Sequence, residues 1–217
     1  MLPLLQLQQL ADSAFPIGSA AHSLGLESLV EAGFLNVDTL ARFLEDYLAE
    51  SGVLEAAYCR ASCGAGIDDW LALNIDLGAR KLARESRDAS SSMGRRFLRL
   101  AAAISNHPSL LAAAQLDGEV HLAACFGFVA GALRVDAHSA VVAYLQQSMA
   151  ALISACQRLL PLGQTQAHTI LWNLKPSILR TAENASTVPA RQASCFTPLV
   201  DLASARHATL YTRLFMS

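Results

Sequence analysis

The chain has 217 residues, of which 53% are hydrophobic and only 16% charged, and its net charge is −2. This composition excludes a disordered chain, and the lack of net positive charge argues against a nucleic-acid-binding protein. Leu and Ala, both strong helix formers, dominate, whereas Val, Ile, Thr and aromatic residues are sparse. We therefore predict an all-α fold, a single-domain helical bundle over residues 1–217 with roughly eight to ten helices.

The small net charge conceals an uneven distribution of charge along the chain. Residues 1–79 contain eleven acidic and two basic residues, whereas residues 80–99 contain seven basic and two acidic residues. Regions of opposite sign either steer protein partners or balance each other within one fold, and the sequence leaves both possibilities open.

The first part of the chain predicts three helices. Apolar residues at helical spacing predict a first helix, which ends before Pro16 because proline disfavours helix at the preceding residue. Ser19 can cap a second helix that runs to Gly33, a residue type that commonly ends helices. A third helix, from residue 38 to about Gly52, has the clearest amphipathic pattern in the sequence.

The second helical segment carries a small polar patch, formed by His22, Ser23 and Gly25. A glycine without a side chain lets another backbone or a partner protein approach closely. A tight contact between two helices explains this pattern as well as a partner site does. Glu27 and Glu31 are predicted on the opposite, wetter face.

The middle of the chain predicts closely packed helices. Residues 53–63 form a fourth helix with Cys59 and Cys63 one turn apart. Two soft ligands make only half of a metal site, so core packing is favoured. A long helical segment follows over residues 68–105, and its weak helix formers at 90–94 predict close packing against a neighbour.

Two further helices contain few charges. Residues 119–133 predict a buried helix, in which Ala and Gly at three- and four-residue spacing allow close helix contact. Residues 136–160 predict the central helix, since polar residues at its middle favour a core position over a membrane span. The small-residue surfaces at 90–94 and 123–131 together predict a homodimer.

The sequence of the C-terminal part predicts a loose connection followed by a segment suited to binding a partner. Proline, serine and threonine are frequent in residues 175–194, as in poorly anchored segments. Pro198 then starts a last helix within residues 195–217, which we expect to be a partner-binding tail because arginine and aromatic residues are typical interface anchors. Packing of this tail on its own domain is an equally open alternative.

The sequence contains no phosphate-binding loop, dinucleotide-binding glycine motif, HExxH motif or Gly-x-Ser-x-Gly elbow. We therefore expect no catalytic residue, no cofactor and no metal site. Five cysteines without paired spacing suit reduced thiols, and the first residues lack the pattern of a secretory signal. We expect a cytoplasmic protein that binds neither membrane nor nucleic acid.

Three stretches of the chain resemble the UreF family of urease accessory proteins: FPIGSAAHSLGLE at residues 15–27, VEAG at 30–33 and TPLVDLASARHATLYTRLFMS at 197–217. The resemblance implies an all-α, non-catalytic protein that forms a homodimer and binds the accessory protein UreD, also called UreH. It implies that the chain recruits the GTPase UreG for nickel delivery to the urease apoprotein. It further implies partner-binding roles for residues of both end motifs, namely Pro16, Gly18, His22, Ser23, Gly25, Leu26, Glu27, Arg206, His207, Tyr211, Arg213, Leu214 and Phe215.

Two other interpretations compete with a nickel-delivery scaffold. One is a helical enzyme that uses His22 with Glu27 or Asp68 with Asp69, and the other is a helical protein–protein interaction module unrelated to urease. An enzyme would turn over substrate alone or show a concave site with perturbed carboxylates, whereas a scaffold acts only with its partners.

Overall fold

The computed structural model describes residues 1–216, and Ser217, the last residue of the predicted tail, lies outside the described residues. The described chain contains twelve α-helices and no β-strand, and ten of these helices have eight or more residues. The predicted all-α fold is therefore confirmed. The helices are α1 (Leu2–Leu10), α2 (Leu26–Glu31), α3 (Leu40–Tyr47), α4 (Val53–Ser62), α5 (Ile67–Arg80), α6 (Arg84–Ser105), α7 (Pro108–Ala114), α8 (Leu122–Ala132), α9 (Ala137–Leu159), α10 (Gln164–Asn173), α11 (Lys175–Thr187) and α12 (Pro198–Arg206).

The centre of the bundle is formed by α4, α8 and α9, which pack against one another and are flanked by α6 and α11. Gly127 and Gly131 on α8 face the backbone of Cys59 on α4 and of Cys63, which directly follows α4, and a Cβ atom at either glycine would overlap the facing carbonyl oxygen. The small residues of α8 therefore let two helices of the same chain approach closely.

The second small-residue surface is used in the same way. Gly94 on α6 lies directly against the backbone of Val120 and His121, and Ser90 on the same helix is buried. The predicted close packing at 90–94 is confirmed. Because both small-residue surfaces are covered within one chain, neither can form the homodimer contact that was predicted for them.

Two helix boundaries near the centre of the bundle differ from the prediction. The segment 68–105 is interrupted at Lys81, whose backbone is extended and whose ammonium group pairs with Glu55 on α4. In contrast, α3 continues into α4 through a π-helical turn, Leu48–Gly52. Gly52 keeps right-handed helical dihedrals, and a Cβ atom there would sit tightly against α11. This glycine provides room for a neighbouring helix and does not end one.

The expected loose connection at 175–194 is wrong for residues 175–187, which form α11. The buried residues Ile178, Thr181, Ala182 and Ala185 follow helical spacing and face the core. Pro176 lies in the first turn, where its missing N–H group has no helical partner to lose.

α9 is the one helix in the described chain that is long and apolar enough to cross a membrane by length and composition. More than half of its most apolar stretch is buried inside the bundle. Tyr144 on this helix donates a 2.6 Å hydrogen bond to Glu55 Oε2 on α4, and its ring packs against Phe126 on α8. The prediction of a central core helix is confirmed.

Candidate functional site

The N-terminal motif, residues 15–27, forms a tight turn. Gly18 has a left-handed backbone with φ of +85°, and Leu24 and Gly25 are also left-handed, with φ of 53° and 90°. Because consecutive left-handed residues cannot continue a right-handed helix, α2 begins only at Leu26. The segment after Ser19 is a short 3₁₀ turn, so the predicted second helix starts later than expected.

Gly25 is the contact point between this motif and α12. A Cβ atom at Gly25 would lie 2.8 Å from Ser204 Oγ, 3.1 Å from Ser204 N and 3.1 Å from the carbonyl oxygen of Val200. The expected close approach of another backbone therefore occurs, and the neighbour belongs to the same chain.

Glu27 connects the motif to the C-terminal tail, residues 207–216. Glu27 is only 7% exposed, so the prediction that it shares a wet face with Glu31 is wrong for Glu27. His207 Nε2 lies 2.8 Å from Glu27 Oε2, and it donates because a carboxylate that already receives N–H groups can only accept. The backbone N–H of Leu214 donates to Oε1 at 2.7 Å, and that of Phe215 donates to Oε2 at 3.3 Å.

Arg158, in the last turn of α9, holds the same tail from the other side. Its guanidinium donates to the carbonyl oxygen of Ala20 at 2.6 Å and to that of Leu214 at 3.4 Å, and it lies 4.2 Å from the centre of the Phe215 ring. No sequence pattern singled out Arg158, because both of its partners lie far away in the chain.

The predicted site residues thus fall into three groups. Arg206, Tyr211, Arg213 and Leu214 are exposed, as is Pro16, whereas Gly18 and His22 are half-buried. The buried group consists of Ser23, Gly25, Leu26, Glu27, His207 and Phe215. We call the exposed side chains of the C-terminal segment the C-terminal surface; it consists of Phe196, Leu199, Leu202, Arg206, Tyr211, Arg213, Leu214 and Met216.

A cavity of about 110 Å³ lies inside the bundle, lined by residues of α4, α6 and α9 together with the N-terminal motif and α12, and Glu55 and Lys81 are among the few charged side chains in its wall. Burial raises the pKa of Glu55, but the ammonium group of Lys81 and the hydroxyl of Tyr144 outweigh it, so this pKa lies below its usual value. A general acid needs the opposite shift. Burial, followed by the nearby guanidinium of Arg96, lowers the pKa of His22.

These groups do not assemble an active site among residues 1–216. The carboxylate of Glu27 is occupied by hydrogen bonds from the tail. Asp68 and Asp69 are exposed in the first turn of α5, where negative charge interacts favourably with the positive end of the helix dipole. No group of three or more His, Cys, Asp or Glu side chains suited to a metal ion is found in this part of the chain. The Cys63 thiol, directly after α4, instead donates to the carbonyl oxygen of Cys59 at a sulfur–oxygen distance of 3.4 Å.

The described residues thus form an all-α protein whose two terminal motifs pack on each other and whose C-terminal surface presents arginine and large apolar side chains to solvent. The comparisons with known proteins identify the family.

A family model for UreF matches residues 35–175. Three curated relatives, each a urease accessory protein UreF, align with nearly the whole chain. The relative from a Nostoc species is 36% identical and covers 98% of this chain and 95% of its own length. The relative from Paracoccus denitrificans is 34% identical with the same coverage, and that from Dechloromonas aromatica is 32% identical and covers 100% of this chain and 98% of its own length. The chain belongs to the UreF family, and it is a urease accessory protein without catalytic activity of its own.

Proposed function

We propose that this chain is the scaffold of a urease maturation complex in the cytoplasm. It binds UreD (UreH) and recruits the GTPase UreG, and the assembly delivers nickel to the urease apoprotein at the expense of GTP. Membership of the UreF family supports this proposal. Nickel is the metal that the assembly delivers, and the role of this chain is to bind the other proteins of the assembly.

The C-terminal surface is the observation that carries the assignment of a UreD site. Tyr211 is 99% exposed and Leu214 is 61% exposed, although the backbone N–H groups of Leu214 and Phe215 both donate to the Glu27 carboxylate. Large apolar side chains that are exposed together mark interaction sites, and the C-terminal surface contains six of them. Arg206 and Arg213 add the residue type that, with tyrosine, supplies most of the binding energy at protein interfaces.

The buried residues of the N-terminal motif support the site indirectly. Ser23, Gly25 and Glu27 contact their own chain and are covered by it, so a partner does not reach them in this conformation. Gly25 packs closely on α12 and Glu27 holds the tail, so these two residues fix the segment that carries the C-terminal surface.

We also propose a homodimer, whose interface lies outside the small-residue surfaces of α6 and α8. Leu2 and Leu5 on α1 are 66% and 60% exposed and offer an unused apolar face. Multi-angle light scattering at about 50 μM should give twice the mass of one chain, and a single-chain mass would refute the dimer.

The proposed function is tested by urease activation in cells. A host that carries the urease subunits, UreD and UreG but lacks this chain should gain urease activity and enzyme-bound nickel when the wild-type chain is supplied. The double variant Tyr211→Ala/Leu214→Ala should lose most of both. Ile75→Ala/Leu82→Ala removes comparably exposed side chains elsewhere, 69% and 76% exposed, and should activate normally. No activation by the wild-type chain would contradict the proposal.

A further inference from the structure

A short linker, residues 188–195, joins α11 to the segment that carries the C-terminal surface. Arg60, in the last turn of α4, holds the start of this linker. Its Nε atom donates to the carbonyl oxygen of Ala185 and its Nη2 atom to that of Val188, each at 3.1 Å. Because carbonyl groups at the end of a helix have no partner within the helix, Arg60 caps α11 where the linker begins.

Arg80, the last residue of α5, holds the other end of the linker. Its Nη1 atom donates to the carbonyl oxygen of Ala193 and its Nη2 atom to that of Arg191, both at 2.8 Å. A guanidinium group presents its donors in a flat, rigid fork, which the ammonium group of lysine does not reproduce. Ala190 and Ala193 are only 7% and 2% exposed, so the linker also packs on the bundle between the two arginines.

The guanidinium group of Arg80 is itself held by the bundle. It lies 3.5 Å from the carboxylate of Asp76, one turn earlier in α5, and 5.9 Å from the centre of the Tyr58 ring on α4. Tyr58 is fully buried, and its hydroxyl donates to the same carboxylate. Two packed helices therefore set the point at which the chain leaves the bundle.

We infer that Arg80 is a positioning residue for UreD binding, because it fixes the linker and so the origin of the segment that follows. The linker does this whether residues 196–216 are ordered before UreD binds or only afterwards. Each residue that becomes ordered on binding costs conformational entropy, and residues 188–195 do not add to that cost when they are already fixed. The effect on affinity rests on the proposed function, since UreD is the partner assigned to the C-terminal surface.

The test compares Arg80→Lys with Arg42→Lys. Both arginines lie one helical turn from an aspartate, at distances of 3.5 Å and 3.9 Å, and lysine keeps the positive charge at both positions. The side chain of Arg42 is 88% exposed, and its ion pair lies on the surface of α3. Only the change at Arg80 removes the fork that holds the linker, so Arg42→Lys is the matched control.

Amide hydrogen exchange in the free protein reports the order of the linker. The N–H groups of Gln192 and Ala193 donate to the carbonyl oxygen of Pro189 at 2.8 Å and 3.1 Å. Exchange at both amides should become about tenfold faster in Arg80→Lys and should not change in Arg42→Lys, since a looser linker opens these bonds more often. Unchanged exchange in Arg80→Lys would overturn the inference, whether or not the wild-type chain binds UreD.

Affinity for UreD, measured by biolayer interferometry, tests the consequence for binding. Arg80→Lys should weaken binding about fivefold, since more residues must be ordered in the complex, and Arg42→Lys less than about twofold. Equal affinities for Arg80→Lys and the wild-type chain would overturn the inference.

Ala193→Gly distinguishes positioning from direct contact and serves if Arg80→Lys folds poorly. Glycine makes the linker more flexible and leaves the Arg80 side chain in place, so this variant should also weaken UreD binding, about threefold. Unchanged affinity in Ala193→Gly beside a loss in Arg80→Lys would mean that Arg80 touches UreD itself and would overturn the inference. If the wild-type protein does not bind UreD, the proposed function fails, and hydrogen exchange still decides whether Arg80 fixes the linker.

Discussion

Replacing Gly25 by alanine should destabilise the protein more than replacing Gly33 by alanine, although both glycines have left-handed backbones. Their φ angles are +90° and +75°. A left-handed conformation costs an L-residue about 1–2 kcal/mol, and this cost applies to both variants. The surroundings differ, because nothing lies within 4 Å of a Cβ atom at Gly33, whereas at Gly25 that atom would press on α12.

The extra cost at Gly25 follows from that contact. The new methyl group would lie 2.8 Å from Ser204 Oγ, which can rotate, but also 3.1 Å from two backbone atoms, which can yield only if α12 moves. Forcing additional atoms into a packed contact costs about 1–3 kcal/mol. We therefore expect a total loss of about 1–2 kcal/mol for Gly33→Ala and about 2–5 kcal/mol for Gly25→Ala.

Urea denaturation followed by circular dichroism measures this difference in unfolding free energy. The dependence of unfolding free energy on urea concentration should stay the same in both variants, because the area exposed on unfolding does not change. Gly25→Ala should also weaken binding to UreD, since α12 carries part of the C-terminal surface, whereas Gly33→Ala should not. Equal stabilities for the two variants would refute the packing of α12 on Gly25.

Two further predictions concern the core. Gly127→Ala should lower the unfolding free energy by more than about 2 kcal/mol or prevent folding, because its Cβ atom would overlap the Cys59 carbonyl oxygen. Gly163→Ala, which has open space around it, should change the melting temperature little. Equal melting temperatures would refute the close contact of α8 with α4. Burial is the main reason that the pKa of His121 is lowered to about 4, so the unfolded chain binds an additional proton between about pH 6.5 and 4. The unfolding free energy should therefore fall by about 3 kcal/mol as the pH drops from about 6.5 to 4. In His121→Gln, the unfolding free energy measured by denaturation should depend less steeply on pH over this range. The same pH dependence in both proteins would contradict the lowered pKa of His121.

The fold class could be predicted from the sequence, and both terminal segments could be singled out, because each prediction depends on composition or on residues close together in the chain. Helix-forming composition does not require knowledge of long-range contacts. The helical spacing at Ile178, Thr181, Ala182 and Ala185 was equally available, but Pro176 and the neighbouring serine and threonine residues obscured it. Gly52 looked like a helix end because local rules cannot separate a glycine that stops a helix from one that makes room for another.

The arrangement of the candidate site depended on contacts between distant residues. Glu27 and His207 are 180 positions apart, and each looks like an ordinary polar residue when only its own helix is considered. Arg158 has its partners at the two ends of the chain. Residues that hold other residues in place leave no local pattern, so the sequence could mark both motifs but could not show that one supports the other.

We propose above all that the C-terminal surface binds UreD. Biolayer interferometry with immobilised UreD measures it directly, using the wild-type chain, the Tyr211→Ala/Leu214→Ala variant and the Ile75→Ala/Leu82→Ala control. We expect the affinity of Tyr211→Ala/Leu214→Ala for UreD to fall about thirtyfold or more, since each interface anchor contributes about 2 kcal/mol. The affinity of the control should fall less than about twofold. Equal affinities for all three proteins, or no binding by the wild-type chain, would contradict this proposal.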